Sequence, residues 1–210
     1  MAVLGTKKEK EVETVAMEPS VKVNYPYKFG DEPGVFGRAS VVVEGTPVFI
    51  NGMVLYDGTE EKNPYIKCPR HSYKDKNTGD TKWANSAGPA SKETRQAFYD
   101  AMVACYTAMA EGQDVGDKFE HEGVTITYPR LNPFNNNERA LLSCNVATEL
   151  PIFINRITAR TRDDGTHYVN YPQRSYEKNG ERRYVAIAGP SSPDTNKLIS
   201  EAVIEAISNA

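Results

Sequence analysis

Lys67, Arg70, Lys74, Lys76 and Lys82 fall in one short stretch of the chain, with Tyr65, Tyr73 and Trp83 set between them. Further along, Arg174, Lys178, Arg182 and Arg183 recur with Tyr171, Tyr176 and Tyr184. Such a mixture can recognise nucleic acid. The cations neutralise phosphates and release condensed counterions, and the rings offer faces on which bases stack. The same residues also suit a solvated hairpin whose lysines meet water while its rings pack the sheet, because strands favour aromatic side chains.

Other chemistries find less support. His71, His121 and His167 are scattered, and Cys68, Cys105 and Cys144 fall in none of the paired spacings that hold zinc or redox disulfides. Metalloprotease, phosphate-loop and nucleophile-elbow strings are missing. The expectation is therefore a protein that is not an enzyme and uses no metal or cofactor. Acidic pairs at Asp31-Glu32 and Asp163-Asp164 read as solvated turns. Three cysteines without a secretion signal point to reduced thiols in a cytoplasm. No apolar run approaches the roughly 20 residues of a membrane span.

The formal net charge of −3 gives the whole chain no attraction for nucleic acid, so the distribution matters more. Glu111 to Glu122 carries five acids and one lysine, whereas Lys62 to Lys82 carries six bases and two acids. Acid collects in a connector and base in one part of a folded unit.

That unit occurs twice. VKVNYP from Val21 returns as VTITYP from Val124, TPVFIN from Thr46 as LPIFIN from Leu150, and YIKCPRHSY from Tyr65 as YVNYPQRSY from Tyr168. The AGP at Ala87 returns at Ala188, and the ordered matches keep offsets of 101 to 104 residues. The chain thus divides into a flexible tail at 1–20, a first repeat at 21–111, an acidic linker at 112–123 and a second repeat at 124–210. Asn135–Asn137 reads as a turn between strands.

Each repeat shows the same local signals. Val21–Tyr27 alternates apolar and polar residues as a half-buried strand does. Arg38–Glu44 and Pro47–Tyr56 are β-branched runs joined at Glu44-Gly45, which predicts a hairpin. Tyr65–Cys68 and Thr81–Asn85 flank a polar turn, which in the second copy is Asn179-Gly180. A helix follows, capped by Ser91 over Lys92–Ala110, with Ala97, Ala101, Met102, Cys105 and Met109 as its apolar stripe. Ser192 caps the second, with Pro193 at its first position and Leu198, Ile199, Ala202, Val203 and Ile207 inward. Strands followed by a helix predict an α+β fold: two tandem antiparallel meanders, each with a C-terminal helix, packed as an intramolecular pseudo-dimer. A unit this small leaves sheet edges unpaired, which a second copy in the same chain relieves.

The run from Arg38 to Tyr106 resembles the SpoVG (stage V sporulation protein G, septation regulator) family. Tyr65, Ile66 and Pro69 match its short aromatic strand, Lys74, Lys76, Gly79 and Lys82 its basic hairpin, and Arg95 the basic opening of its helix. Tyr168, Val169, Pro172, Lys178, Gly180 and Arg183 repeat the match, with Asn196-Lys197 at the helix opening. A histidine-proline step of the family is Ala-Gly-Pro in both copies here. The resemblance implies an antiparallel sheet with a C-terminal helix, pairing through strands, and DNA or RNA binding in regulation.

The leading expectation is thus a cytoplasmic, monomeric nucleic-acid-binding regulator. Its site would comprise Lys67, Arg70, Lys74, Lys76, Lys82, Trp83, Arg95, Arg174, Lys178, Arg182, Arg183 and Tyr184. Two other classes compete. One is a protein-interaction module, such as an inhibitor encoded by a mobile element and aimed at a host protein. The other is a nucleotide or small-ligand binder using the cleft between repeats.

Overall fold

A computed structural model describes residues 18–29, 34–58, 63–131 and 140–210. Most of the expected tail, the Asp31-Glu32 pair and the Asn135–Asn137 turn lie outside the described residues. The first repeat contains β1 (Ser20–Lys28), β2 (Val35–Glu44), β3 (Val48–Tyr56), β4 (Tyr65–Lys67), β5 (Arg70–Lys74), β6 (Thr81–Asn85), β7 (Ala87–Pro89) and α1 (Lys92–Ala110). After β8 (Lys118–His121), the second contains β9 (Val124–Leu131), β10 (Ala140–Thr148), β11 (Ile152–Thr161), β12 (His167–Asn170), β13 (Gln173–Lys178), β14 (Glu181–Ala186), β15 (Ala188–Pro190) and α2 (Pro193–Ser208). The fold is α+β, with antiparallel sheets and two helices.

The strands do not stay within their own repeats. One sheet runs β1-β2-β11-β12, with β7 also on β11; the other runs β15-β3-β10-β9-β8, with β4 also on β3. Every pairing in the first sheet has its counterpart in the second: β2 with β11 corresponds to β10 with β3, and β7 on β11 to β15 on β3. The exception is β8, which folds part of the acidic linker against β9.

This corrects the expected hairpin at Glu44-Gly45. β2 and β3 part there and enter opposite sheets. Bends at Gly45-Thr46 and at Glu149-Leu150 redirect the chain, and each is followed by a proline, Pro47 or Pro151, which disfavours helical backbone at the residue before it. The two crossovers meet, and Gly45 donates its N–H to the Glu149 carbonyl at 2.8 Å. A second correction concerns the strand pairs before the helix. Tyr65–Lys67 pairs with the end of β3, and it is Arg70–Lys74 that pairs with Thr81–Asn85. Pro69, which has no N–H to give a ladder, separates the two segments.

The alternation of β2 is complete, with Val35, Gly37, Ala39, Val41 and Val43 buried and the residues between them more open. On β10, Ala140, Leu142, Cys144, Val146 and Thr148 do the same. These faces receive the helices in exchanged fashion, α2 lying against β1 and β2, and α1 against β8 and β9. Gly37 permits that contact, since a Cβ there would meet Ile207 Cγ2 at 2.5 Å. Both caps form as expected, Ser91 Oγ accepting from Thr94 N and Ser192 Oγ from Thr195 N. The α1 stripe is corrected in one respect: Phe98 is its fully buried anchor, while Ala97 and Met109 are only half-buried. One continuous core draws on both sheets and both helices.

Candidate nucleic-acid interface

Two hairpins, β5–β6 and β13–β14, stand as two-stranded ribbons apart from the main sheets. Their registers assign each side chain to a face, because residues directly opposite share one. On β5–β6, Arg70, Ser72, Lys74, Thr81 and Trp83 share one face, and His71, Tyr73 and Lys82 the other. On β13–β14, Ser175, Glu177, Arg182 and Tyr184 share one face, and Arg174, Tyr176, Lys178 and Arg183 the other. Each ribbon therefore carries an aromatic ring and cations on both faces. The rings do not serve as core: Trp83 is 57% exposed and Tyr184 63%.

The cations differ in availability. Lys82 is paired with Asp75, whose other oxygen accepts from the N–H groups of Asn77 and Thr78. Those bonds, that from Lys82 foremost, hold the Asp75 carboxyl below its usual range. Lys82 thus braces the turn. Arg183 leans on Glu181 at 3.3 Å in the second ribbon. Lys74, Lys76, Lys178 and Arg182 form no ion pair with a described carboxylate. The Asn179-Gly180 turn adopts φ of 56° and 79°, the left-handed pair its sequence requires.

Both ribbons are fastened at the base by the opposite repeat. Asn155 Nδ2 donates to the Asn85 carbonyl at 2.9 Å and Asn51 Nδ2 to the Ala186 carbonyl at 2.8 Å. The same asparagines donate their main-chain N–H to the Ser86 and Ile187 carbonyls. Sequence reasoning missed these clamps, although the repeated Phe-Ile-Asn was a visible signal for them.

Beside each base lies a cleft. The first is formed on β3 by Gly52, Val54 and Tyr56, with Lys67, Arg70 and Trp83 around it. Lys67 Nζ lies 5.5 Å from the Tyr56 ring centre, and Arg70 donates to the Trp83 carbonyl at 3.2 Å. Burial raises the pKa of the Cys68 thiol in this lining, and the charge of Arg95 on α1 opposes that rise. Arg174 reaches over from the second ribbon, its Nη1 only 3.3 Å from where a Gly52 Cβ would stand.

The second cleft repeats the first on β11. Arg156, Thr158, Tyr171 and Gln173 take the places of Gly52, Val54, Cys68 and Arg70, and Arg38, His71 and Ser86 enter from the first repeat. His71 Nδ1 lies 3.0 Å from Ser86 Oγ. Burial, and then the Arg156 charge, lower the pKa of His71 from 6.5. Tyr171 donates to Asn196 Oδ1 at 3.0 Å, and burial pushes its hydroxyl up to about 12. Arg38 and Arg156 did not figure among the expected site residues. No local pattern marks them, because β2 and β11 become neighbours only through the crossover.

The expected residues therefore fall into groups. Lys67, Arg70 and Trp83 line the first cleft, with Arg174 over its rim, whereas Arg95 on α1 is not among its lining residues. Lys74, Lys76 and Lys82 belong to the outer part of the first ribbon, and Lys178, Arg182, Arg183 and Tyr184 to the second.

Asp163-Asp164 closes the β11–β12 turn, where Asp164 accepts from both the N–H and hydroxyl of Thr166. The three cysteines are buried and unpaired. Among the described residues no group of three His, Cys, Asp or Glu side chains is placed to hold a metal ion. No helix among them is long and apolar enough to cross a membrane. Compared with protein-family models, with curated proteins and with solved structures, the chain matches none.

Proposed function

We propose that this protein binds nucleic acid through the two ribbons and acts as a regulator of the SpoVG-like kind in a reducing cytoplasm. The observation that carries the reading is the exposure of Trp83, Tyr73, Tyr176 and Tyr184 on ribbons that also bear cations in no ion pair with a described carboxylate. A ring that packed the sheet would be covered. These are open, at a cost in hydrated apolar surface that binding would recover. Base stacking on such rings tolerates any sequence, and lysine and arginine beside them follow the phosphates. The exchange of strands supports a further part of the reading, that one chain forms an intramolecular pseudo-dimer and works as a monomer.

Fluorescence anisotropy with labelled single-stranded and duplex oligonucleotides tests it across 50–150 mM salt. Contact with about six phosphates gives a log–log salt slope near −4 for single strands and −5 for duplex. Lys74→Glu with Lys76→Glu, and Lys178→Glu with Arg182→Glu, should weaken binding to all sequences alike and flatten that slope. Trp83→Ala and Tyr184→Ala should each cost about 1–3 kcal/mol if the ring stacks on a base. Affinity indifferent to both charge reversals would overturn the proposal and make the ribbons a candidate protein-binding surface.

A further inference from the structure

We infer that the cleft floored by Arg38 and Arg156 seats one phosphate group of the bound strand. This deepens the nucleic-acid reading and rests on it.

The donors come first. Arg38 and Arg156 line the cleft from adjoining strands, Arg38 being the cross-strand partner of Thr158. Thr158 and Gln173 add a hydroxyl and an amide to the lining, which contains no carboxylate. Neither arginine forms an ion pair with a described carboxylate. Arg38 is supported from one side, its guanidinium carbon lying 5.1 Å from the Phe29 ring centre. Two arginines in a lining without a carboxylate match a tetrahedral oxyanion, whose oxygens accept several hydrogen bonds at once. The cleft encloses about 250 Å³. That is below the roughly 300–1,000 Å³ of pockets for whole drug-sized ligands, so the space suits a phosphate group better than a complete nucleotide.

The comparison between repeats shows that the fold does not require these charges. Arg38 pairs with Thr158 as Ser143 pairs with Val54, and Arg156 stands where the other repeat has Gly52. Arg156 is also held at φ 62°, the left-handed region that glycine occupies at no steric cost. Strain retained by a long cation at a bulge, where the twin position is glycine, marks a position kept for its side chain.

The test follows side-chain NMR signals of the full chain during titration with inorganic phosphate and, separately, with a twelve-residue oligothymidylate. Phosphate should shift the Arg38 and Arg156 Nε–H resonances selectively and raise the pKa of His71, since an anion beside Arg156 cancels the repulsion on the imidazolium. Arg156→Gly and Arg38→Gln should each lower oligothymidylate affinity about tenfold, the loss of one charged hydrogen bond. The salt slope should become shallower by about 0.7, the loss of one phosphate contact. Circular dichroism checks that both variants are folded. If both bind like the parent while Lys178→Glu with Arg182→Glu weakens binding, the cleft assignment fails and the nucleic-acid reading stands. If phosphate shifts the cleft signals but the parent binds no oligonucleotide, both fail, and the cleft is a seat for a free anion. Shifts spread evenly over all surface arginines would also overturn the assignment.

Discussion

Arg156 occupies a backbone conformation that the other repeat fills with glycine, and this separates its local cost from its use. Left-handed backbone costs a residue with a Cβ about 1–2 kcal/mol, while glycine loses part of that advantage through the freedom it gains when unfolded. Arg156→Gly should therefore leave stability unchanged or raise it by up to about 1 kcal/mol in chemical denaturation. A substantial loss would show that the guanidinium holds the fold together. His71 reports on the same corner. Its pKa is lowered in the folded chain from 6.5, so the unfolded chain binds the proton more tightly. Stability linked to this group is present above pH 6.5 and is lost as pH falls from there through the folded value. Arg156→Gly should shrink that loss in denaturation curves recorded between pH 7 and 5. The cysteines give a third expectation. Burial pushes Cys105 up to about 11 and raises Cys68 and Cys144 as well. Thiolate is the reactive form, so alkylation followed by mass spectrometry should label all three only after denaturation.

At the level of elements, the helices depend on signals a few residues long. Ser91→Ala and Ser192→Ala should each cost about 1 kcal/mol through the loss of a cap. Phe98→Ala, which empties the centre of α1's buried face, should cost about 3–5 kcal/mol. Thermal or chemical denaturation reads both. The ribbons should behave differently, their amides exchanging with solvent faster than those of β2 and β11, because they lack a packed face. These contrasts explain what was legible in the sequence. Ser91, Ser192 and Pro193 mark helix starts through bonds within one turn, and Asn179-Gly180 marks its turn through its own backbone preference. The partners of β2 and β3 were not legible in that way. A β-branched run carries the period of a strand but not the identity of its neighbour, and Glu44-Gly45 looks the same before a turn as before a crossover. The exposed side of the site follows the same division. Its ribbon cations were visible as a cluster in the chain, whereas Arg38 and Arg156 converge only once β2 and β11 lie side by side.

For the molecule as a whole, the exchange of strands makes each half incomplete without the other. Proteolysis between Gly112 and Asp117 should leave two fragments that co-elute on size-exclusion chromatography and separate only in denaturant. The intact chain should scatter light as a monomer and unfold in one cooperative transition. Two separate transitions would show that the halves fold independently. Fusion also has a consequence for symmetry. Two identical chains paired about a two-fold axis would present identical clefts and would look the same to a strand entering from either end. Here one cleft has a tryptophan at its wall, and its twin has two arginines on its floor. On the proposed nucleic-acid reading, a strand laid from one to the other would meet different chemistry at its 5′ and 3′ sides, and the two related clefts would give the surface a direction.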